Sequence, residues 1–254
     1  MKKILAVICF SFLSLNFANA EITLGISGNA GLLSADGKET ITGSSNAGFT
    51  WNASASQARA ATENAATTQK TNDELAIGYV SLFGEADVFR LTGLRVGISY
   101  VPYALESETT ANDRVDQCNA AEAGTITACV VTKQTVQVNL EDLVSMYLSY
   151  HRDVDNAFIN SVFVKAGIIQ ADVITNEKLS SGSQYGNTEL SGEFIGIGVE
   201  KDLKADGMFV RLEGNITKFD AIKLTNTNGG TNKNVIDING LDGSTATISI
   251  GKTF

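Results

Sequence analysis

The chain has 254 residues, with 28 acidic against 19 basic side chains and a formal net charge of −9. A balance this acidic excludes an electrostatic nucleic-acid binder and leaves the fold open. Twenty-four glycines, a single proline and apolar residues that recur at every second position favour strands over helices. After the first twenty residues, no apolar run reaches the length a helical membrane span needs.

Met1–Ala20 opens on Lys2 and Lys3, runs apolar from Ile4 to Phe17 and ends in Ala18-Asn19-Ala20. A basic start, a short apolar middle and a small-residue site predict a cleaved secretory signal peptide, 1–20. One further domain, 21–254, follows it. Loss of Lys2 and Lys3 takes the formal charge from −9 to −11. Cys9 follows Ile8 rather than a small residue, which speaks against a lipoprotein anchor.

Alternation starts at Glu21. Ile22, Leu24, Ile26, Gly28, Ala30 and Leu32 share one face, with Thr23, Gly25, Ser27, Asn29 and Gly31 on the other. The polar segment Ser34–Glu74 is predicted as a mobile loop around Trp51, with a short Ala-rich helix over Ala53–Thr68 as the alternative. Leu75–Gly84 is the second strand, Leu75, Ile77, Tyr79 and Phe83 in phase, and Glu85-Ala86-Asp87 is predicted as a tight turn. Thr92–Tyr100 is the third. Pro102–Gln134 is a second long polar segment.

Strand four, Thr135–Arg152, turns Val144, Met146, Leu148 and Tyr150 outward, with Ser145, Tyr147, Ser149 and His151 inward. After a turn at 153–156, strand five runs from Phe158 to Ala171. Asp172–Glu189 is a loop, Leu190–Asp202 strand six, 204–207 a turn and Met208–Ile222 strand seven. Thr225–Asn234 is the last loop. In the closing stretch Thr245–Phe254, residues 246, 248, 250, 252 and 254 oppose small polar ones.

Eight strands joined by connections that alternate long and short predict an all-β fold, an eight-stranded antiparallel up-and-down transmembrane β-barrel. A soluble lipocalin-like barrel has the same strand number but no reason for such loop asymmetry. The chain resembles the OmpA/OmpX-type eight-stranded outer-membrane barrel family. The resemblance is carried by Tyr185-Gly186-Asn187, Leu190–Glu200, Phe209–Glu213 and Ile248–Phe254.

The resemblance implies the outer membrane of a Gram-negative cell, with lipid and lipopolysaccharide as neighbours and no cofactor. It also implies recognition by the barrel-assembly machinery and periplasmic chaperones through a closing strand with Phe254, Ile250 and Ile248. Lys252 departs from that signal, where an aromatic is commoner. A monomer is expected.

The strand phases put Arg95, Lys165, Glu200, Arg211 and Glu213 inside the barrel, together with Tyr147. Charges of both signs in a narrow lumen must pair, because an unpaired buried charge is very costly. The reading is a structural or surface-recognition (adhesion) barrel with a lumen plugged by charged side chains. The alternatives are a narrow porin-like channel and a soluble periplasmic ligand-binding barrel. No enzyme is expected: His151 is the sole histidine, and its phase places it at the periplasmic end of strand four. Cys118 and Cys129, an even pair in an exported chain, read as a disulfide closing about a dozen residues and worth roughly 3 kcal/mol. A two-cysteine metal site is the competing reading, with no histidine nearby.

Overall fold

A computed structural model describes residues 21–41, 67–88, 92–121, 125–178, 184–203, 206–227 and 235–254, giving the backbone alone at 39–41, 67–73, 110–121, 125–134, 136 and 178. The signal peptide and Trp51 lie outside the described residues. Those described hold eleven strands. They are β1 (Ile22–Ile41), β2 (Thr67–Asp87), β3 (Leu94–Tyr100), β4 (Leu105–Glu106), β5 (Thr110–Ala121), β6 (Thr125–Asp153), β7 (Ser161–Lys178), β8 (Thr188–Asp202), β9 (Met208–Phe219), β10 (Ile222–Thr225) and β11 (Val235–Thr253).

Eight of them close a ring in the order β1-β2-β3-β6-β7-β8-β9-β11, with every neighbour antiparallel and β11 returning to β1. Thr23 faces Thr253 and Ile26 faces Ile250, so the first and last strands of the chain form the seam. The stagger can be read by walking the ladders. From Leu24 the partners are Gly84, Ile98, Met146, Ile168, Glu193, Lys218, Asp242 and then Ser34, ten residues further along β1. Eight strands with a shear of ten tilt by about 40° and set a backbone radius of about 8 Å, an interior that side chains alone can fill.

Outside, the alternation puts Leu24, Ile26, Leu148, Val164, Ile195, Ile197, Leu212, Ile216 and Ile248 about half exposed or more. In a water-soluble protein such a belt would be a large exposed apolar patch. Here it runs round a closed barrel and stops at charges on both sides. On β8 the outward series Ile195, Ile197, Val199 lies between Glu193 and Lys201. Eight residues at about 3.3 Å, tilted by about 40°, span roughly 20 Å, close to the hydrocarbon band of an outer-membrane barrel. The protein is a transmembrane β-barrel.

At one rim the connections are short. Gly93 (φ 84°) and Gly207 (φ 70°) occupy them. A Cβ on Gly93 would stand 2.2 Å from the His151 carbonyl oxygen, and one on Gly207 would stand 2.6 Å from that of Thr253. The carbonyls of both glycines accept hydrogen bonds from the same two neighbours, His151 N at 2.7 Å and Thr253 N at 3.0 Å. The glycines let these turns lie flat against the adjacent strand.

The long-loop rim differs from the sequence expectation. The segment 34–74 is strand at both of its described ends, because β1 continues to Ile41 and β2 starts at Thr67. Residues 102–134 carry β4, β5 and the upper part of β6. β7 reaches Lys178, and β10 runs from the end of predicted strand seven to the first residue of the last predicted loop. Strand five begins at Ser161 rather than Phe158, which sits exposed in the turn. Above the apolar band the wall divides. β10, β11, β1 and β2 form one sheet, and β4/β5, β6, β7 and β8 form the other. Val138, Leu140, Val173 and Leu190 from the second sheet pack against Leu33, Ile222, Leu224, Ile236, Ile238 and Leu241 from the first. The interior is therefore apolar above the membrane and polar within it, the reverse of its outer surface.

Candidate functional site

The lumen is built by the inward half of each alternation. On β9, residues 209, 211, 213, 215 and 217 point inward, and Arg211 is 2% exposed. Its guanidinium grips Glu85 in bidentate fashion, Nη1–Oε1 at 2.7 Å and Nη2–Oε2 at 2.9 Å. It also donates to Glu200 Oε2 from Nε at 3.0 Å and Nη2 at 2.8 Å. The planar fork of arginine suits this task, since four charge-assisted bonds converge on two carboxylates with no lost geometry. Tyr147 donates its hydroxyl to Glu85 Oε1 at 2.8 Å, tying β6 to β2 across the lumen.

A second cation stands nearer the short-turn mouth. Arg95 Nη1 lies 3.9 Å from both Glu85 Oε2 and Glu200 Oε1, and its Nε donates to Asp87 Oδ1 at 3.2 Å. Above Arg211, Lys165 pairs with Glu213, and its ammonium lies 4.4 Å from the centroid of the Tyr147 ring. Of the five predicted lumen residues, Arg95, Glu200 and Arg211 thus share one cluster. Lys165 and Glu213 form a second one, and Tyr147 connects the two.

Three aromatic rings fill the space the charges leave. The Arg211 guanidinium lies 4.9 Å from the centroid of Phe163, 5.1 Å from Phe209 and 5.4 Å from Phe83. Each ring is seated over a glycine of the next strand. Cβ atoms added at Gly25, Gly198 and Gly251 would fall 2.4, 2.3 and 2.4 Å from Phe83, Phe163 and Phe209. Tyr147 covers Gly97 in the same way. The small residue on one strand makes room for the large ring on its neighbour, inside a barrel of about 8 Å backbone radius.

Sequence reasoning missed Glu85, Asp87 and Phe83. Glu85-Ala86-Asp87 is not a turn: β2 runs on to Asp87, and Glu85 is 3% exposed inside the barrel. Tyr79 and Phe83 line the lumen with Ser81, while Val80 and Leu82 face outward. The signal was present, since Ser81, Phe83, Glu85 and Asp87 keep one phase. Three turn-forming letters masked it.

Above the Arg211 cluster lies a polar cavity of about 70 Å³ lined by Ser27, Asn29, Ser145, Glu213, Asn215 and Thr247 among others. That is space for about five waters. Asn29 Nδ2 donates to Ser81 Oγ at 3.1 Å, and Thr247 Oγ1 donates to Asn29 Oδ1 at 2.8 Å. Its upper rim is apolar, with Val101, Leu143 and Ala171 buried together against Tyr79, Leu105 and Ile169.

The remaining predicted positions fall elsewhere. His151 is at the short-turn end as expected, stacked 4.8 Å from Phe163, with Nε2 3.1 Å from Ser149 Oγ. Ile248 and Ile250 face outward on β11, and Phe254 donates its backbone N–H to the Ile22 carbonyl at 2.9 Å. Lys252 stands 5.2 Å from the Phe254 ring centroid. The β5–β6 ladder sets Cys118 opposite Cys129, and the side chains of both lie outside the described residues.

No family model matches the chain, and no curated protein matches it. Among solved structures it is similar to the outer membrane protease OmpT from Escherichia coli at 11% identity, with a TM-score of 0.41 over 92% of this chain and 97% of that one. It is also similar to a Pseudomonas aeruginosa FadL homologue at 7% identity, with a TM-score of 0.30 over 92% and 90%. Likeness at this level carries no functional argument, and the barrel assignment rests on the closed ring and its apolar belt.

Proposed function

We propose that this protein is an outer-membrane barrel of the OmpA/OmpX kind. It serves as a membrane-anchored scaffold with a closed lumen and displays its long hairpins for recognition at the cell surface. One observation carries the reading: Arg211, Glu85 and Glu200, with Phe83, Phe163 and Phe209 around them, block the lumen at its short-turn end. A solute path has no room beside them, and opening one means separating buried charges. In this reading the short-turn rim faces the periplasm and the two upper sheets face outward. Lipid and lipopolysaccharide surround the belt, and the barrel-assembly machinery inserts the chain as a monomer. A Cys118–Cys129 bridge clamps the β5–β6 hairpin, in keeping with their facing positions.

A gated narrow channel is the second reading, favoured by the polar cavity above the plug. Surface labelling tests the first. An epitope inserted at 122–124 should be reached by antibody on intact cells, and the protein should fractionate with the outer membrane and run faster unboiled than boiled. An epitope reached only after permeabilisation would overturn the orientation, and a soluble periplasmic protein would overturn the reading.

A further inference from the structure

Among the described residues, β2 has above Leu82 a strand partner on one side only. It pairs with β1 along its whole length but with β3 only from Leu82 to Asp87. β3 ends at Tyr100, and the chain continues through Pro102 along β6 as β4 and β5. Among the described residues, no strand occupies the β3 side of β2 above that point. The direction of its backbone groups is fixed. Asp87 N donates to Glu21 O at 3.2 Å, so odd-numbered groups of β2 face β1. Val80 N donates to Tyr103 Oη at 2.6 Å and Val88 N to Leu94 O at 2.8 Å, so even-numbered groups face the open side. The N–H and C=O groups of Glu74, Ala76 and Gly78 therefore project into the slot that β3 fills lower down.

Proteins usually protect such an edge with lysine, proline or a bulge. Here the opposite lip carries Pro102, while β2 offers Ala76 and Gly78, whose small side chains leave the backbone open. The described side chains around it are acidic. Glu74 on β2, Glu106 and Glu108 around β4, and Glu141 on β6 are all exposed. Glu141 is set opposite residue 172 of β7, which is past Gln170 and so beyond the outward apolar series of that strand.

We infer that this edge is a strand-addition site for a cationic, extended polypeptide segment of a partner protein, which continues the β3 slot upward. Main-chain hydrogen bonds to Glu74, Ala76 and Gly78 hold the segment, and the acidic lips select lysine- or arginine-rich sequence. The inference rests on the surface-recognition reading and names its partner class. A closed lumen would survive its failure, because the edge and the plug share no residue.

The test uses the full mature chain folded in detergent, at about 0.15 M salt. The probe is a labelled peptide of about ten residues alternating Lys and Thr. Fluorescence anisotropy should show saturable binding, at least about 10-fold weaker for the same peptide N-methylated at alternate amides and for a Glu-Thr counterpart. Glu106→Lys with Glu108→Lys should also lower affinity at least about 10-fold. Gly78→Pro should weaken it too, since it removes a donor on the open side without touching the β1 ladder. The N-methylated peptide needs no altered protein, so the test stands even where Gly78→Pro fails to fold. Equal binding of the N-methylated peptide would reduce the site to charge adhesion and overturn the inference. So would an absence of saturation up to about 1 mM peptide.

Discussion

Removing the Glu85 carboxylate is the sharpest perturbation of the buried ion cluster. The Glu85 side chain is 0% exposed and that of Arg211 is 3% exposed. Glu85→Ala deletes both bidentate bonds and strands the Tyr147 hydroxyl, leaving Arg211 with Glu200 alone. Breaking a buried pair from one side costs about 3–5 kcal/mol, and Arg95, 3.9 Å from both carboxylates, can recover only part of that. Reversible urea unfolding in lipid vesicles should therefore show a loss of about 3 kcal/mol or more. In an Arg211→Met background the sign should change. There Glu85 and Glu200 share only the more distant and partly exposed Arg95, and deleting one carboxylate relieves their repulsion. Glu85→Ala should then be neutral or stabilising. A loss below about 1 kcal/mol in the parent, or additive losses in the pair, would refute the network as the element that closes the barrel.

Other consequences follow from the same geometry. Phe163→Ala removes a ring seated over Gly198 and stacked on both Arg211 and His151, and should cost about 3–5 kcal/mol in the same unfolding assay. Gly251→Val puts a side chain where the Phe209 ring lies and should destabilise by about 1–3 kcal/mol or more, with partial rescue by Phe209→Ala. Gly93→Ala should cost about 1–3 kcal/mol through its left-handed backbone and its contact with the His151 carbonyl. Cys118 and Cys129, opposite each other in the β5–β6 ladder, should resist alkylation until a reductant is added, as read by mass spectrometry.

The membrane-embedded half of the fold was legible because lipid enforces one face. Residues such as Ile195, Ile197 and Ile248 point outward, their neighbours point inward, and the period of two survives in every strand. The upper hairpins were not legible for the opposite reason. Above the belt no lipid enforces one apolar face, and Ser34–Ile41 and Thr110–Ala121 are strands whose sequence carries no alternation. Main-chain pairing holds those strands, and it leaves no trace in side-chain pattern. The lumen was half legible. Arg211, Glu200 and Arg95 follow from phase alone, but their partner Glu85 comes from a strand that the turn-like Glu-Ala-Asp ended too early. The seating of each phenylalanine over a glycine depends on inter-strand register, which no single strand encodes.

Planar-bilayer recording of the purified wild-type protein beside a Phe163→Ala, Arg211→Ala variant tests the closed lumen most directly. With Arg211 and its rings in place the wild type should give no steady conductance, and the variant should show discrete ion-conducting openings. Large, stable currents from the wild type would contradict the account and make the narrow channel the better description.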